Sequence, residues 1–404
     1  MAFQQGLSGL NAASKALEVI GNNVSNANTV GFKQSRAEFA DVFAASLSGG
    51  SATQIGIGTT ISDVAQQFTQ GNITATNNTL DVAINGAGFF RLSNNGAVTY
   101  TRNGQFQMDK NGYLVTSDGK RLMGNSADNL NGSSPTEIQI DTSDLQPGAS
   151  TKITGTLNLN SASTIIDQTT TPFSSTDPTS YTNSTAITVY DNLGNSHNVQ
   201  NYYVKTAANT WKVYTTVDGT DVTPATTPTL AFTNSGTYDS TGSSVTPISF
   251  TPTTGAAAMN ISFDYATSTQ YGATFSVNKL SQDGYSSGRI ASFTIGDDGI
   301  IQGRYTNGQS KNLGRVVLAN FVNPNGLQSL GGNQWMATFE SGDELVGSPG
   351  SSTLGVLQSS AVEDSNVDLT AELVNMITAQ RIYQANAQTI KTQDQVMQTL
   401  VNLR

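Results

Sequence analysis

The chain has 404 residues, 39 of them Gly, no Cys, one His, 12% charged side chains and a formal net charge of -10. That length allows two or three domains, and the acidic balance argues against nucleic acid and anionic membranes. Without Cys there is no disulfide, thiolate metal site or thiol nucleophile, and no apolar run reaches membrane-spanning length.

From Ala2 to about Val24 the pattern is helical. Phe3, Leu7, Leu10, Leu17 and Val24 step by fours and threes, with Ala13 and Ile20 alongside, which makes an amphipathic seam. The first residues show neither a basic n-region nor an apolar h-region, so a cleaved signal peptide is not expected. The helix gives way to Gly21-Asn22-Asn23-Val24-Ser25-Asn26-Ala27-Asn28-Thr29-Val30-Gly31-Phe32-Lys33. Asn tolerates the left-handed conformation and bonds nearby backbone, and Gly31 can take a positive φ. Asn22, Asn23, Asn26, Gly31 and Phe32 are therefore expected to build a specialised turn. An Asx-rich helix end accounts for the local chemistry but not for the length of the amide run.

Residues 31–70 read as a linker region of short elements. Phe39, Val42 and Phe43 stand at helical spacing, and Gly49-Gly50 marks a joint. Gly56-Ile57-Gly58 lacks the third Gly of a dinucleotide loop. From Thr79 the pattern turns to β. Leu80 to Ile84 alternates, and Asn94-Asn95-Gly96 and Asp109-Lys110-Asn111-Gly112 carry hairpin-turn chemistry between apolar runs. The second also looks like the start of a calcium loop, but position 120, where a twelfth ligand would stand, is Lys.

Residues 146–284 differ in composition, rich in Ser, Thr and Gly, and no Arg occurs between Arg121 and Arg289. Thr185–Tyr190 and Asn198–Val204 flank the turn Asp191-Asn192-Leu193-Gly194-Asn195, while Trp211, Val213 and Thr215 continue with period two. A separate sandwich or barrel of short strands is expected, with exposed loops at 161–180 and 219–247. Gly284 to Gly288 reads as a second joint. Beyond it the earlier grammar returns: Phe293-Thr294-Ile295, Asp297-Asp298-Gly299 and Ile300-Ile301 echo the stretch from Phe106 to Leu114. One β domain built from 71–145 and 285–364 follows, with 146–284 inserted into it.

The last stretch is a second helix. Leu369, Leu373, Met376, Gln380, Tyr383, Ala387, Ile390, Asp394, Met397 and Val401 follow the same step, and Ile377, Val396 and Leu400 widen the row. Asp368 suits the N-cap, and at ~1.5 Å per residue the helix reaches roughly 50 Å. Its polar face carries mostly amides and hydroxyls, where a solvated helix usually carries charge. The matching seams predict that the two ends of the chain pair.

The string from Asn22 to Lys33 resembles the N-terminal motif of the axial proteins of the bacterial flagellum, the rod and hook subunits. Ser365-Asn366-Val367-Asp368-Leu369, Glu372 to Ile377, Gln380 to Tyr383 and Asn386 to Thr392 resemble the tail of the same family. The ending Leu400-Val401-Asn402-Leu403-Arg404, the overall length and the central insert are most similar to hook subunits. The fold expected is a mainly β multidomain protein. Nested β domains would carry N- and C-terminal α-helices, 1–30 with 365–404, pairing as a coiled-coil-like inner domain. The resemblance implies a self-polymerising, heterologous, non-closing assembly. It would be a tubular hook acting as a universal joint, exported through the type III route. Its implied partners are the distal rod, the hook cap, the hook-filament junction proteins and the type III export apparatus. The intersubunit seam would be Phe3, Leu7, Leu10, Leu17, Val24, Leu369, Leu373, Met376, Ile377, Tyr383, Ile390, Met397, Leu400 and Val401.

Catalysis finds little support in the residues. His197, the sole His, follows Ser196 in a hairpin, and one His without Cys cannot make a multi-ligand metal site. No Gly-x-Ser-x-Gly elbow stands in a strand-to-helix context. Asp297-Asp298 and Asp343-Glu344 are carboxylate pairs that a glycosidase would use, but adjacent acids in turns are ordinarily solvated. No cofactor or metal is expected. Two alternatives stay open: a distal rod subunit, and an extracellular β-domain adhesin.

Overall fold

The structure, a computed structural model, describes residues 2–42, 56–132 and 134–402, without the side chain of Leu400. Phe43 and the expected joint Gly49-Gly50 lie outside the described residues. The fold is mainly β with terminal helices. It divides into two compact units: Met1–Asp141 with Phe293–Gly303 and Lys311–Arg404, and Thr142–Ser292 with Arg304–Ser310.

The first unit interleaves distant segments. Strand Phe89–Asn94 forms a hairpin with Ala97–Thr101, and the Asn95-Gly96 turn has φ of 51° and 95°, the double-positive geometry that Asn-Gly favours. Leu318–Asn320 and Gln334–Met336, more than two hundred residues on, pair with these two strands. Val356–Ser359 pairs with Val82–Asn85, and Ala361–Glu363 with Ile73–Ala75. The core is aromatic: Phe89, Tyr100, Phe321 and Trp335 are buried, and Phe68 meets Phe89 and Trp335 edge-on at 5.4 and 5.5 Å. Asp109 Oδ1 accepts from the Asn111 and Tyr113 amides at 2.8 Å each, so this loop is a hairpin turn.

Helix α1 spans Ala2–Ser25 and helix α2 spans Leu369–Asn402. Between α1 and the aromatic core lie strands β1 (Ser35–Val42) and β2 (Gly58–Gln66), an antiparallel pair. The helical spacing of Phe39 and Val42 is therefore misleading. Alternation in Ser35-Arg36-Ala37-Glu38-Phe39 competes with it, and the tie between β1 and the Asn-rich turn decides in favour of strand. Most of the described residues of the 31–70 stretch belong to this ribbon.

The second unit has two sheets. One runs in the order Ile248–Phe250, Met259–Asp264, Lys152–Asn158, Ser276–Gln282; the other contains Asn183–Tyr190, Ser196–Ala207, Thr210–Val217, Thr229–Phe232 and Tyr238–Ser244. Leu157 of the first packs with Tyr203, Trp211 and Val213 of the second, so the sheets face each other over a shared core. The expected exposed loop at 219–247 carries the strands Thr229–Phe232 and Tyr238–Ser244, and Leu230 and Phe232 enter that core. Their alternation is masked in the sequence by flanking Thr, Pro and Ser. The 161–180 stretch is irregular but anchored, with Phe173 stacked on Tyr214 at 4.2 Å. Gly284–Gly288 is not slack either: Gly148 and Tyr285 exchange backbone hydrogen bonds of 3.0 and 2.9 Å, and Leu145 and Gly288 do the same at 2.7 and 3.3 Å.

Candidate functional site

The two terminal helices approach each other where Gly6 and Gly9 of α1 face Ile390 and Asn386 of α2. A Cβ added to Gly6 would lie 3.0 Å from Ile390 Cγ1, and one on Gly9 would lie 2.8 Å from the Asn386 side chain. Ala13 and Ala379 are buried as well. Glycine at the crossing lets the helix backbones approach closely, and larger side chains turn elsewhere. Much of the expected seam is open to solvent. Phe3, Leu7, Leu369, Leu373, Ile377, Tyr383, Met397 and Val401 are exposed, with Ile377 at 51% and Val401 at 71%. Leu10, Leu17, Val24, Met376 and Ile390 are half-buried, and Leu400 has no described side chain. Val374 and Ile382, which the heptad step passes over, are also exposed and add to the apolar surface. Asp368 caps α2 as expected, its Oδ1 accepting from the Thr370 and Ala371 amides at 2.9 and 3.1 Å.

The Asn-rich turn has a defined task for each residue. Asn22 and Asn26 close the end of α1: the Asn26 amide donates to Asn22 O at 3.1 Å and its side chain donates to the same oxygen at 3.0 Å. Asn23, buried, donates from Nδ2 to Ser35 O at 2.8 Å and accepts from Ser35 N at 2.9 Å, so its amide imitates a neighbouring strand for the start of β1. Gly31 has φ 71°, and a Cβ there would come within 2.6 Å of Asn103 N. That leaves room for its own N–H to donate to Glu363 O at 2.8 Å. The half-buried Phe32 donates its amide to Thr29 O at 3.2 Å.

Directly after this turn sits a buried charge cluster that no single sequence segment reveals. Lys33 Nζ lies 2.6 Å from Glu363 Oε1 and 2.7 Å from Thr69 O, with both charged side chains inaccessible to solvent. Arg102 Nη1 lies 3.1 Å from Glu363 Oε2, and its Nη2 donates to Gly86 O at 2.7 Å. The Gly71 amide donates to Glu363 Oε1 at 2.9 Å. Burial pushes the Lys33 ammonium below its usual pKa, against the pull of Glu363. One carboxylate thus holds two cations and clamps residues 31–33, 69–71, 102 and 361–363 in register. Desolvation makes such a cluster a poor source of net stability, but removing one member leaves a buried charge unpaired. Asn366 extends the clamp: its Oδ1 accepts from Gln34 N and its Nδ2 donates to Gln67 O, both at 2.7 Å.

Known proteins share this arrangement of segments. Residues 3–33 match the family described as Flagella basal body rod protein, and 358–403 match Flagellar basal body rod FlgEFG protein C-terminal. Residues 83–171 match Flagellar hook protein FlgE/F/G D1 domain, and 158–285 match Flagellar basal body protein FlaE D2 domain. Flagellar hook protein FlgE of Escherichia coli (strain K12) is 44% identical over 414 residues, with both chains covered in full. The chain belongs to the flagellar hook protein FlgE family. FlgE of Salmonella typhimurium (strain LT2) is also 44% identical over full length, and FlgE of Borreliella burgdorferi is 31% identical over all of this chain and 99% of its own. The crystal structure of Helicobacter pylori flagellar hook protein FlgE2 superposes with a TM-score of 0.56 at 16% identity, covering 72% of this chain and all of that one, and so supports the fold.

Within this FlgE chain two of the four carboxylates weighed for catalysis, Glu344 and Asp298, have structural partners. Glu344 receives Arg91 Nε and Nη2 at 2.9 Å each and the Tyr100 hydroxyl at 2.6 Å. Burial and the Glu344 carboxylate together push the Tyr100 phenol well above its ordinary pKa. The bond to Glu344 raises Arg91 as well. Asp298 Oδ1 accepts from Ile300 N at 3.0 Å as a turn cap. His197 sits between Asp218, 2.7 Å from Nδ1, and Asp191, 3.4 Å from Nε2, beside the Phe250 ring. Of the residues sequence reading passed over, Glu363 left one signal: an acid in the short apolar run Ala361-Val362-Glu363.

Proposed function

We infer that this flagellar hook subunit joins its copies through the outward apolar rows of α1 and α2. The observation that carries the reading is the contrast between the two faces of the helix pair. Within one chain Gly6 and Gly9 face Ile390 and Asn386, leaving Phe3, Leu7, Leu373 and Ile377 open to solvent. A contiguous exposed apolar surface of this kind marks an interaction site. The α1 row of one copy meeting the α2 row of the next would make a heterologous contact that propagates as a helical tube. The terminal helices (1–30 with 365–404) then form the inner layer of the tube. The partners expected beyond self, namely distal rod, hook cap, junction proteins and export apparatus, belong to the same reading, as does an extracellular, non-enzymatic role.

The test replaces Leu373, Met376 and Ile377 together with Ala in the full chain. Assembly into tubes, followed by sedimentation and electron microscopy, should be lost, while the cooperative unfolding of both β units persists. Tubes forming at the wild-type concentration would refute the seam.

A further inference from the structure

A second apolar feature lies away from the helices. Phe339 is 102% exposed and Val322 is 82% exposed. Both belong to loops that are stiff. Asn323 N donates to Ser341 O at 3.3 Å and its side chain donates to Glu340 O at 3.1 Å, while Thr338 Oγ1 donates to Gly326 O at 2.5 Å and Ser341 Oγ donates to Thr338 O at 2.8 Å. Gly326 is required by this packing, since a Cβ there would stand 2.5 Å from Glu340 C. A loose loop would fold its aromatic ring down onto the surface, whereas here the backbone holds the ring out. Such a ring is pre-organised, so little ordering entropy is lost when a partner covers it. Aromatic side chains of this kind are typical anchors of protein interfaces. The exposed Glu340 and Asp343 flank it, giving the knob an acidic rim.

The same unit carries a recess of opposite character. Between α1 and β2 lies a groove of about 390 Å³ lined by Ala12 and Ile61, with Lys15 at its side. Lys15 pairs with Glu18 at 2.7 Å on the exposed helix face, an arrangement that is easily exchanged. The acidic rim can take the place of Glu18 beside Lys15, the one charged residue of the recess, and both surfaces are present on every copy. A heterologous contact needs two different surfaces of one chain.

We propose that Phe339 of one copy seats in the α1–β2 groove of a second copy, with Glu340 and Asp343 facing Lys15 of that second copy. This rests on the reading that the chain self-assembles, and it adds a contact separate from the helix seam. The knob reaches the neighbour through a fixed loop, so the contact sets where the neighbour sits as well as how tightly it holds.

The full-length chain with Phe339→Ala should need about a tenfold higher concentration to form tubes, the effect of losing one interface anchor. Its circular dichroism and unfolding midpoint should match the wild type, because the ring is fully open to solvent within its own chain. Glu340→Lys and Lys15→Glu should each weaken assembly, and the two together should restore it. A photoreactive p-benzoylphenylalanine at position 339 should cross-link to residues 8–15 or 59–61 of another copy. Phe339→Ala assembling at the wild-type concentration, a double charge variant no better than either single one, or cross-links to a different region or a different protein would overturn the knob. Those outcomes leave self-assembly standing. A wild-type chain that forms no tubes under any condition would instead refute the assembly reading, and the knob with it.

Discussion

The inserted β-sandwich and the paired terminal helices treat their apolar side chains in opposite ways. In the sandwich, Trp211, Tyr203 and Leu157 are wholly buried between two sheets of the same unit. Along α2, Leu373, Ile377, Met397 and Val401 remain exposed although they form the regular row of the helix. A fully buried large apolar side chain contributes about 1.5–3 kcal/mol relative to leaving it in water. The sandwich collects that term internally. The helices forgo most of it within one chain, as half of an interface does. What secures them instead is polar: the Asn-rich turn, the Asp368 cap and the Lys33–Glu363–Arg102 cluster.

If that contrast is right, damage to the polar clamp should be felt in the first unit and leave the sandwich untouched. Glu363→Ala strands Lys33 and Arg102 without their common anion, so a loss of about 3–5 kcal/mol is expected in the unfolding of the first unit. Denaturant unfolding followed by Trp335 and Trp211 fluorescence in single-tryptophan variants separates the two transitions. A shared drop in both would dissolve the comparison. Gly31→Ala is a milder test of the same clamp. Forcing a side chain onto φ 71° against Asn103 should remove roughly 1–3 kcal/mol from the first unit.

The smallest effect is expected in the sandwich, through His197. Burial lowers its affinity for a proton, but hydrogen bonds to Asp218 and Asp191 outweigh that, so its pKa is raised above the ordinary value. A raised folded pKa means the His contributes stability that is fully present below the unfolded pKa and is lost as pH rises through the folded one. The two carboxylates move the opposite way. Burial would raise Asp218, but the Asn198 amide and His197 outweigh it and hold the group low. Asp191 is likewise held low, against its own burial, by Asn195, Thr254 and His197. Their contributions fade in acid. His197→Gln should therefore flatten the fall in the second unit's stability as pH rises above the ordinary His value of about 6.5, measured as the denaturation midpoint across that range. The first unit's midpoint should not move over the same range, and an equal change in it would blur the distinction.

Local chemistry was the legible part of this sequence. Asp368 as a cap, Asn95-Gly96 and Asp109–Gly112 as turns, and the alternation of Trp211, Val213 and Thr215 each depend on neighbours a few residues away. The strands Thr229–Phe232 and Tyr238–Ser244 were hidden because polar residues dilute a short alternation. Phe39 and Val42 fitted a helical step by coincidence of spacing in a ribbon too short to show its own period. The helix seams were readable as rows, but which side of each helix meets its partner depended on Gly6 and Gly9, whose significance appears only when α2 lies against them. The charge cluster was beyond reach for a plainer reason: Lys33 and Glu363 are 330 positions apart.

That separation governs the order in which the molecule can be completed. Until Glu363 has been released, Lys33 and Arg102 lack the carboxylate that pairs them, and the short strand at 73–75 has no partner to its side. Closing so large a loop costs conformational entropy before any contact repays it, which makes late arrival of the tail a kinetic bottleneck. The sandwich, made almost entirely from one continuous stretch, meets no such delay. Condensation should thus begin in the middle of the chain and finish at its two extremities.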